Sequence, residues 1–110
     1  MLGTILYDYG DMIRSYTNTK SEDEPDPEGV FNADVYHELT NGFLSEAGSF
    51  LTDIELQYLS YAPQVIVYIQ ALRFLTDYLN GDIYYQCNYP EQNLNRAKNQ
   101  INLLQQILKI

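Results

Sequence analysis

The sequence predicts an all-α domain: a small bundle of four to five helices, with a short extended N-terminal segment and one long acidic loop. Three observations predict it. Apolar residues recur at spacings of three and four in several separate stretches, as in helices that turn one face to a core. Helix start and stop signals bracket those stretches, among them Thr52-Asp53-Ile54-Glu55 and Asn80-Gly81. The connections are short apart from residues 17–29, which suits a bundle. With 110 residues, 45% of them hydrophobic, the chain can bury one core and not two, so a single domain spans residues 1–110.

Met1 to Tyr7 is apolar and partly β-branched, which reads as an extended lead-in. A short helix is expected from about Gly10 to Tyr16, capped by Asp8 or Asp11, with Met12, Ile13 and Tyr16 on one face. Thr17 to Gly29 is polar. Five of the seven residues from Glu22 to Glu28 are acidic, and Pro25 and Pro27 break any helix there. The spacing of a calcium loop with its central Gly is missing, so these carboxylates read as a solvated loop and not as a metal cage.

A second helix is expected from Ala33 to Leu51, capped by Asn32, with Val35, Leu39, Phe43, Ala47 and Phe50 on its inner stripe. Thr52 and Glu55 form a capping box that opens the next helix, and Pro63 predicts a bend near Tyr61-Ala62. The segment continuing to Leu79 carries Val65, Ile69, Leu72, Thr76 and Leu79 on one stripe, widened by Ile66, Tyr68 and Leu75. Apolar over most of its circumference, it is expected to be the most buried helix. Asn80-Gly81 stops it. After an aromatic-rich connection, Asn88 and Pro90 open a last helix with Leu94, Ala97, Ile101, Leu104 and Leu108 facing inward. Its other face is rich in Asn and Gln, compatible with solvent or with a second protein surface.

Six Lys and Arg against fifteen Asp and Glu give a formal charge of −9, which argues against a partner held through phosphates. No nucleic acid is expected. The longest aliphatic run, Val65 to Ile69, falls far short of a bilayer span, so no membrane partner is expected either. A lone cysteine, Cys87, fits a reducing compartment, and the expected location is cytoplasmic. The one histidine, His37, lies between Tyr36 and Glu38 with no second ligand in view. No catalytic residue and no metal ligand set is legible from composition or spacing.

Three stretches together resemble the C-terminal lobe of N-acetylhexosamine kinases, a branch of the aminoglycoside phosphotransferase and choline kinase superfamily. They are Leu6-Tyr7-Asp8-Tyr9-Gly10-Asp11-Met12-Ile13-Arg14-Ser15 with Thr17-Asn18-Thr19 and an acidic loop, then Arg73 through Tyr85, then Asn93-Leu94-Asn95-Arg96-Ala97. The resemblance implies that Asp8, Asp11 and Arg14 are structural and capping residues beside the catalytic loop, not metal ligands. It implies ATP and magnesium for an intact enzyme, and no cofactor for this chain. The lysine, the Gly-rich phosphate loop and the H-x-D-x-x-x-x-N motif that phosphoryl transfer requires are not in the sequence. Met1-Leu2-Gly3-Thr4 coincides with the tail of the family's D-x-D-T-x-M-x-G. The expectation is therefore a truncated, non-catalytic helical subdomain whose start falls inside an ancestral kinase frame.

In that reading Arg73 and Tyr84 are the candidate substrate-binding residues, facing the acceptor sugar. The alternative for Arg73 is an ion pair with Asp77 at i, i+4 spacing. A different class of function stays open beside it: a small acidic protein acting through a homo-oligomer, with a dimer expected through exposed apolar helix faces.

Overall fold

The computed structural model describes residues 2–110, with side-chain surroundings from Thr4 onward; Met1 lies outside the described residues. Five α-helices follow one another: α1 (Leu2–Thr17), α2 (Ala33–Ala47), α3 (Asp53–Tyr58), α4 (Ala62–Leu79) and α5 (Gln92–Ile107), with a 3₁₀ turn over Leu59–Tyr61 between α3 and α4. The all-α bundle expected from the sequence is what the chain forms. α4 packs against both α1 and α5, and α2 packs on α1. Tyr9 and Ile13 of α1, Tyr36 of α2, Ala62 and Val67 of α4 and Leu103 and Ile107 of α5 meet in the core.

The N-terminal segment is helical, not extended. Leu6, Tyr9 and Ile13 stand at i, i+3 and i+7, and this helical stripe joins the core; its packing outweighs the β-propensity of Thr4 and Ile5. Asp8 and Asp11 therefore lie inside α1 and cap nothing. Gly10, which weakens a helix start in isolation, is where α1 crosses α4. A Cβ there would sit 2.7 Å from Ile66 Cγ1 and 2.8 Å from the Ala62 carbonyl oxygen, so only glycine lets the two backbones approach this closely.

α2 is capped as expected, the Asn32 side chain accepting from the Val35 N–H. It ends at Ala47 instead of Leu51, with Phe50 left 79% exposed beyond it. The Thr52–Glu55 capping box is complete: Glu55 N–H donates to Thr52 Oγ1 and Thr52 N–H to Glu55 Oε1. The bend anticipated at Pro63 takes the form of the 3₁₀ turn, after which Pro63 occupies the first turn of a fresh helix, where its missing N–H costs nothing. α5 starts at Gln92, later than Asn88 and Pro90 imply; Asn88 donates its backbone N–H to the Gln92 side chain instead of capping the helix.

Two helix faces are oriented differently from the sequence reading. The buried side of α4 carries Ala62, Pro63, Val67, Ala71, Phe74 and Asp77, whereas Val65, Ile69, Leu72, Thr76 and Leu79 are exposed. On α5 the Asn and Gln residues go inward. Asn93, Asn99 and Gln100 are buried beside Ala97, Leu103 and Ile107, while Ile101 and Leu108 of the anticipated inner stripe are exposed. The acidic loop explains this. Asn99 donates to the carbonyls of Ser21 and Glu24 and accepts from Asn18, Asn102 donates to the Pro25 carbonyl, and Arg96 Nε lies 3.3 Å from Glu22 Oε2. The loop is thus pinned to α5 through its backbone; Asn99 is buried because it satisfies that backbone, and Asn93 because it bonds Asp77.

Candidate functional site

The C-terminal end of α4 and the connection to α5 build an open cleft with polar and aromatic walls. α4 stops as Asn80-Gly81 predicts: Gly81 takes a φ of 95°, its N–H reaches the Tyr78 carbonyl, and the Asp82 N–H reaches the Asp77 carbonyl at 2.7 Å. This pair of bonds is the Schellman arrangement, and it turns the chain back over the helix end. Asp82 follows at φ 61°, a left-handed conformation that Asp tolerates better than most residues.

The returning chain meets the Asp77 carboxylate. Oδ1 accepts from the backbone N–H groups of Ile83 (3.0 Å) and Tyr84 (2.7 Å), and Oδ2 from that of Tyr85 (3.0 Å). From α5, Asn93 Nδ2 donates to Asp77 Oδ2 at 2.7 Å and to Asp82 Oδ1 at 3.0 Å, while Arg96 Nη1 donates to Asn93 Oδ1 at 2.9 Å. Burial pushes the Asp77 carboxyl upward, but the donors from Tyr84, Tyr85, Asn93 and Ile83 outweigh it and hold the group below the usual carboxylate range. A carboxylate so engaged fixes three consecutive residues onto α4.

Tyr85 is set against Phe74, ring centroids 4.8 Å apart, and its hydroxyl accepts from Gln70. The Arg96 guanidinium lies over Phe74 at 5.7 Å. Tyr84 meets Tyr85 edge-on at 4.9 Å and is itself 82% exposed, an aromatic face presented to solvent from a fixed backbone. Arg73 projects from α4 next to it. Together with Ile69, Leu72, Thr76 and Asn80, the two line an open cleft of about 580 Å³, within the size range of small-molecule sites.

The structure thus brings Arg73 and Tyr84 to one cleft. It excludes the alternative partner for Arg73, because the Asp77 oxygens are occupied by backbone donors and Asn93; among the described residues the ion pairs are Arg14–Asp11 and Arg96–Glu22. Asp8, Asp11 and Arg14 do not join the cleft. Arg14 bonds Asp11 Oδ1 through both Nε and Nη2 at 3.1 Å, an i, i+3 pair along α1, and Asp8 is exposed. Thr76, Asn80 and above all Asp77 are site residues that the sequence reading passed over. The signal was an Asp three residues before an Asn-Gly helix stop, placed to cap whatever chain turns back.

The carboxylates do not suit magnesium. Asp77 is filled by N–H donors, Asp11 holds Arg14, and Asp23 accepts from the Tyr89 hydroxyl and Gln92; the Tyr89 bond is the main cause that holds Asp23 below its ordinary range. Among the described residues no group of three His, Cys, Asp or Glu side chains converges as a metal site would require. Nor does any helix among them have the length and apolarity to cross a membrane. His37 is exposed on α2, edge-on to Tyr36, and Cys87 is half-buried near Arg96. No protein-family model matches the chain.

What the cleft offers chemically is recognition. It combines a guanidinium with its fan of donors, an amide, a hydroxyl and an exposed ring face, a set that suits a polyhydroxylated ring with one apolar C–H face. It contains no free carboxylate or imidazole to move a proton.

Proposed function

We propose that the chain is a non-catalytic helical lobe of a sugar 1-kinase of the N-acetylhexosamine type, in which it supplies one wall of the acceptor-sugar pocket. The observation that carries this reading is the shared cleft of Arg73 and Tyr84, the two residues that the resemblance marks as sugar-facing. Further support comes from packing. The three resembling stretches lie apart in sequence, yet Asn93 of the third bonds Asp77 of the second, and Asn18 of the first donates to Asn99, two residues beyond the third. Arg73 and Asn80 would donate to the hydroxyl and acetamido oxygens of the sugar, and Tyr84 would cover its apolar face. In this reading the steps of phosphoryl transfer are left to the rest of the enzyme.

Saturation-transfer NMR with N-acetylglucosamine and N-acetylgalactosamine tests the reading. Transfer to the sugar that weakens sharply in Arg73→Ala and less in Tyr84→Phe is the expected result. Equal transfer in wild type and Arg73→Ala would remove Arg73 from the site.

A further inference from the structure

We infer that the outer face of α4 is the contact surface of a homodimer of this chain. Val65, Tyr68, Leu72, Leu75 and Leu79 follow one another at alternating spacings of three and four, the a/d pattern by which one helix packs into another. These five side chains are between 37% and 73% exposed, on the side of α4 opposite the core. Toward the N-terminal end the stripe runs into an apolar groove of about 360 Å³ edged by Tyr58, Tyr61 and Val65. The seam runs from Val65 to Leu79 of α4, about 21 Å at the helical rise.

Area argues for a stable contact. Seven large side chains left about half exposed present on the order of several hundred Å² of apolar surface. That is as large as the largest patch of a typical monomer, which is often functional, and a polar rim would bring it toward the ~800 Å² that each partner hides in a standard interface.

Charge allows a second copy as the occupant. Two chains of formal charge −9 repel each other, so they can pair only along a face without acids. α4 is such a face: its charged residues are Arg73 and Asp77, and Asp77 is 5% exposed with its oxygens committed inward. Of the acids of residues 22–28, Glu22 pairs with Arg96 and Asp23 accepts from Gln92 on α5, while Pro25 of the loop borders a groove beside Leu75. A stripe of this kind is complementary to itself about a two-fold axis and closes at two chains.

Sedimentation equilibrium of the full chain tests this, with Tyr68→Glu and Leu75→Glu on the seam and Ser45→Glu on α2 as a control carrying the same added charge. Wild type and Ser45→Glu should sediment at twice the 12.8 kDa chain mass in the micromolar range. Each seam variant should keep its helical circular dichroism and dimerise about thirtyfold more weakly or worse, since every dimer carries the buried charge twice. A wild type that stays monomeric through high micromolar concentrations overturns the inference, and so does a dimer that survives both seam substitutions. Neither readout involves sugar, so failure of the cleft reading and failure of this one are separately visible.

Discussion

Asn93 Nδ2 lies 2.7 Å from Asp77 Oδ2, a side-chain bond between two buried residues of α5 and α4. Asn93 completes the ring of donors that the Asp77 carboxylate begins with the N–H groups of Ile83, Tyr84 and Tyr85, and it ties that ring to Asp82 and Arg96. The same carboxylate holds the backbone of Tyr84, so Asn93 braces the group that positions one wall of the cleft.

Asn93→Leu keeps the side-chain volume and removes the amide. It takes one partner from each of Asp82 and Arg96 and leaves Asp77 with one donor fewer. A loss of about 2 kcal/mol is expected in urea unfolding, the scale of a hydrogen bond to a charged group. Amide exchange should also accelerate at residues 83–85 before it does in α1. Unchanged stability would show that the connection is held by something else.

Two glycines inside helices should respond to alanine with opposite signs. Gly42 in α2 has nothing within 4 Å of a built Cβ, so Gly42→Ala should stabilise by about 0.5–1 kcal/mol through backbone entropy. Gly10→Ala adds the same helix propensity but drives a methyl group against Ile66 and the Ala62 carbonyl, and overpacking of that kind costs about 1–3 kcal/mol. Thermal unfolding of both variants beside wild type checks the pair. A stabilising Gly10→Ala would contradict the close crossing of α1 and α4.

Acid should unfold the chain through three carboxylates. Burial acts to raise the Asp77 pKa, but its four donors hold it below the ordinary value. The Thr52 backbone bond lowers that of Glu55, and the Tyr89 bond lowers that of Asp23. A carboxyl with a depressed folded-state pKa contributes stability above its unfolded value, near pH 4, and that contribution is lost as pH falls through the folded value. The urea midpoint should therefore be level near neutrality and decline from about pH 4 downward. In Asp77→Asn the midpoint should start lower and decline less steeply. A midpoint that rises below pH 4 would have the wrong sign.

Much of this architecture was legible because local chemistry and tertiary packing agree. The Thr52–Glu55 box, the Asn80-Gly81 stop and the Asn32 cap each satisfy backbone groups within a few residues, so their sequence signals carry over directly. The faces of α4 and α5 were not legible from periodicity. α4 is apolar over most of its circumference, which leaves little amphipathic contrast to orient it. On α5 the buried face is chosen by distant hydrogen bonds, Asn99 to the acidic loop and Asn93 to Asp77, and an amide gives no sign in sequence that its partner waits dozens of residues away. The first half of α1, before the helix expected from Gly10, was missed for a related reason: Leu6 and Tyr9 gain their worth from packing on the core, not from their own propensity. Arg73 and Tyr84 were marked by resemblance, whereas Asp77, which fixes their relation, becomes visible only with the Schellman turn in place.

A heteronuclear shift titration of the full chain with N-acetylglucosamine tests the central claim most directly, because it reports where a sugar binds as well as whether it does. The proposed lobe predicts saturable shifts confined to Arg73, Thr76, Asn80, Tyr84 and Tyr85, with the curve flattened in Arg73→Ala. Spectra that do not change at millimolar sugar, or saturable shifts that lie away from the α4 end and survive Arg73→Ala, would contradict it.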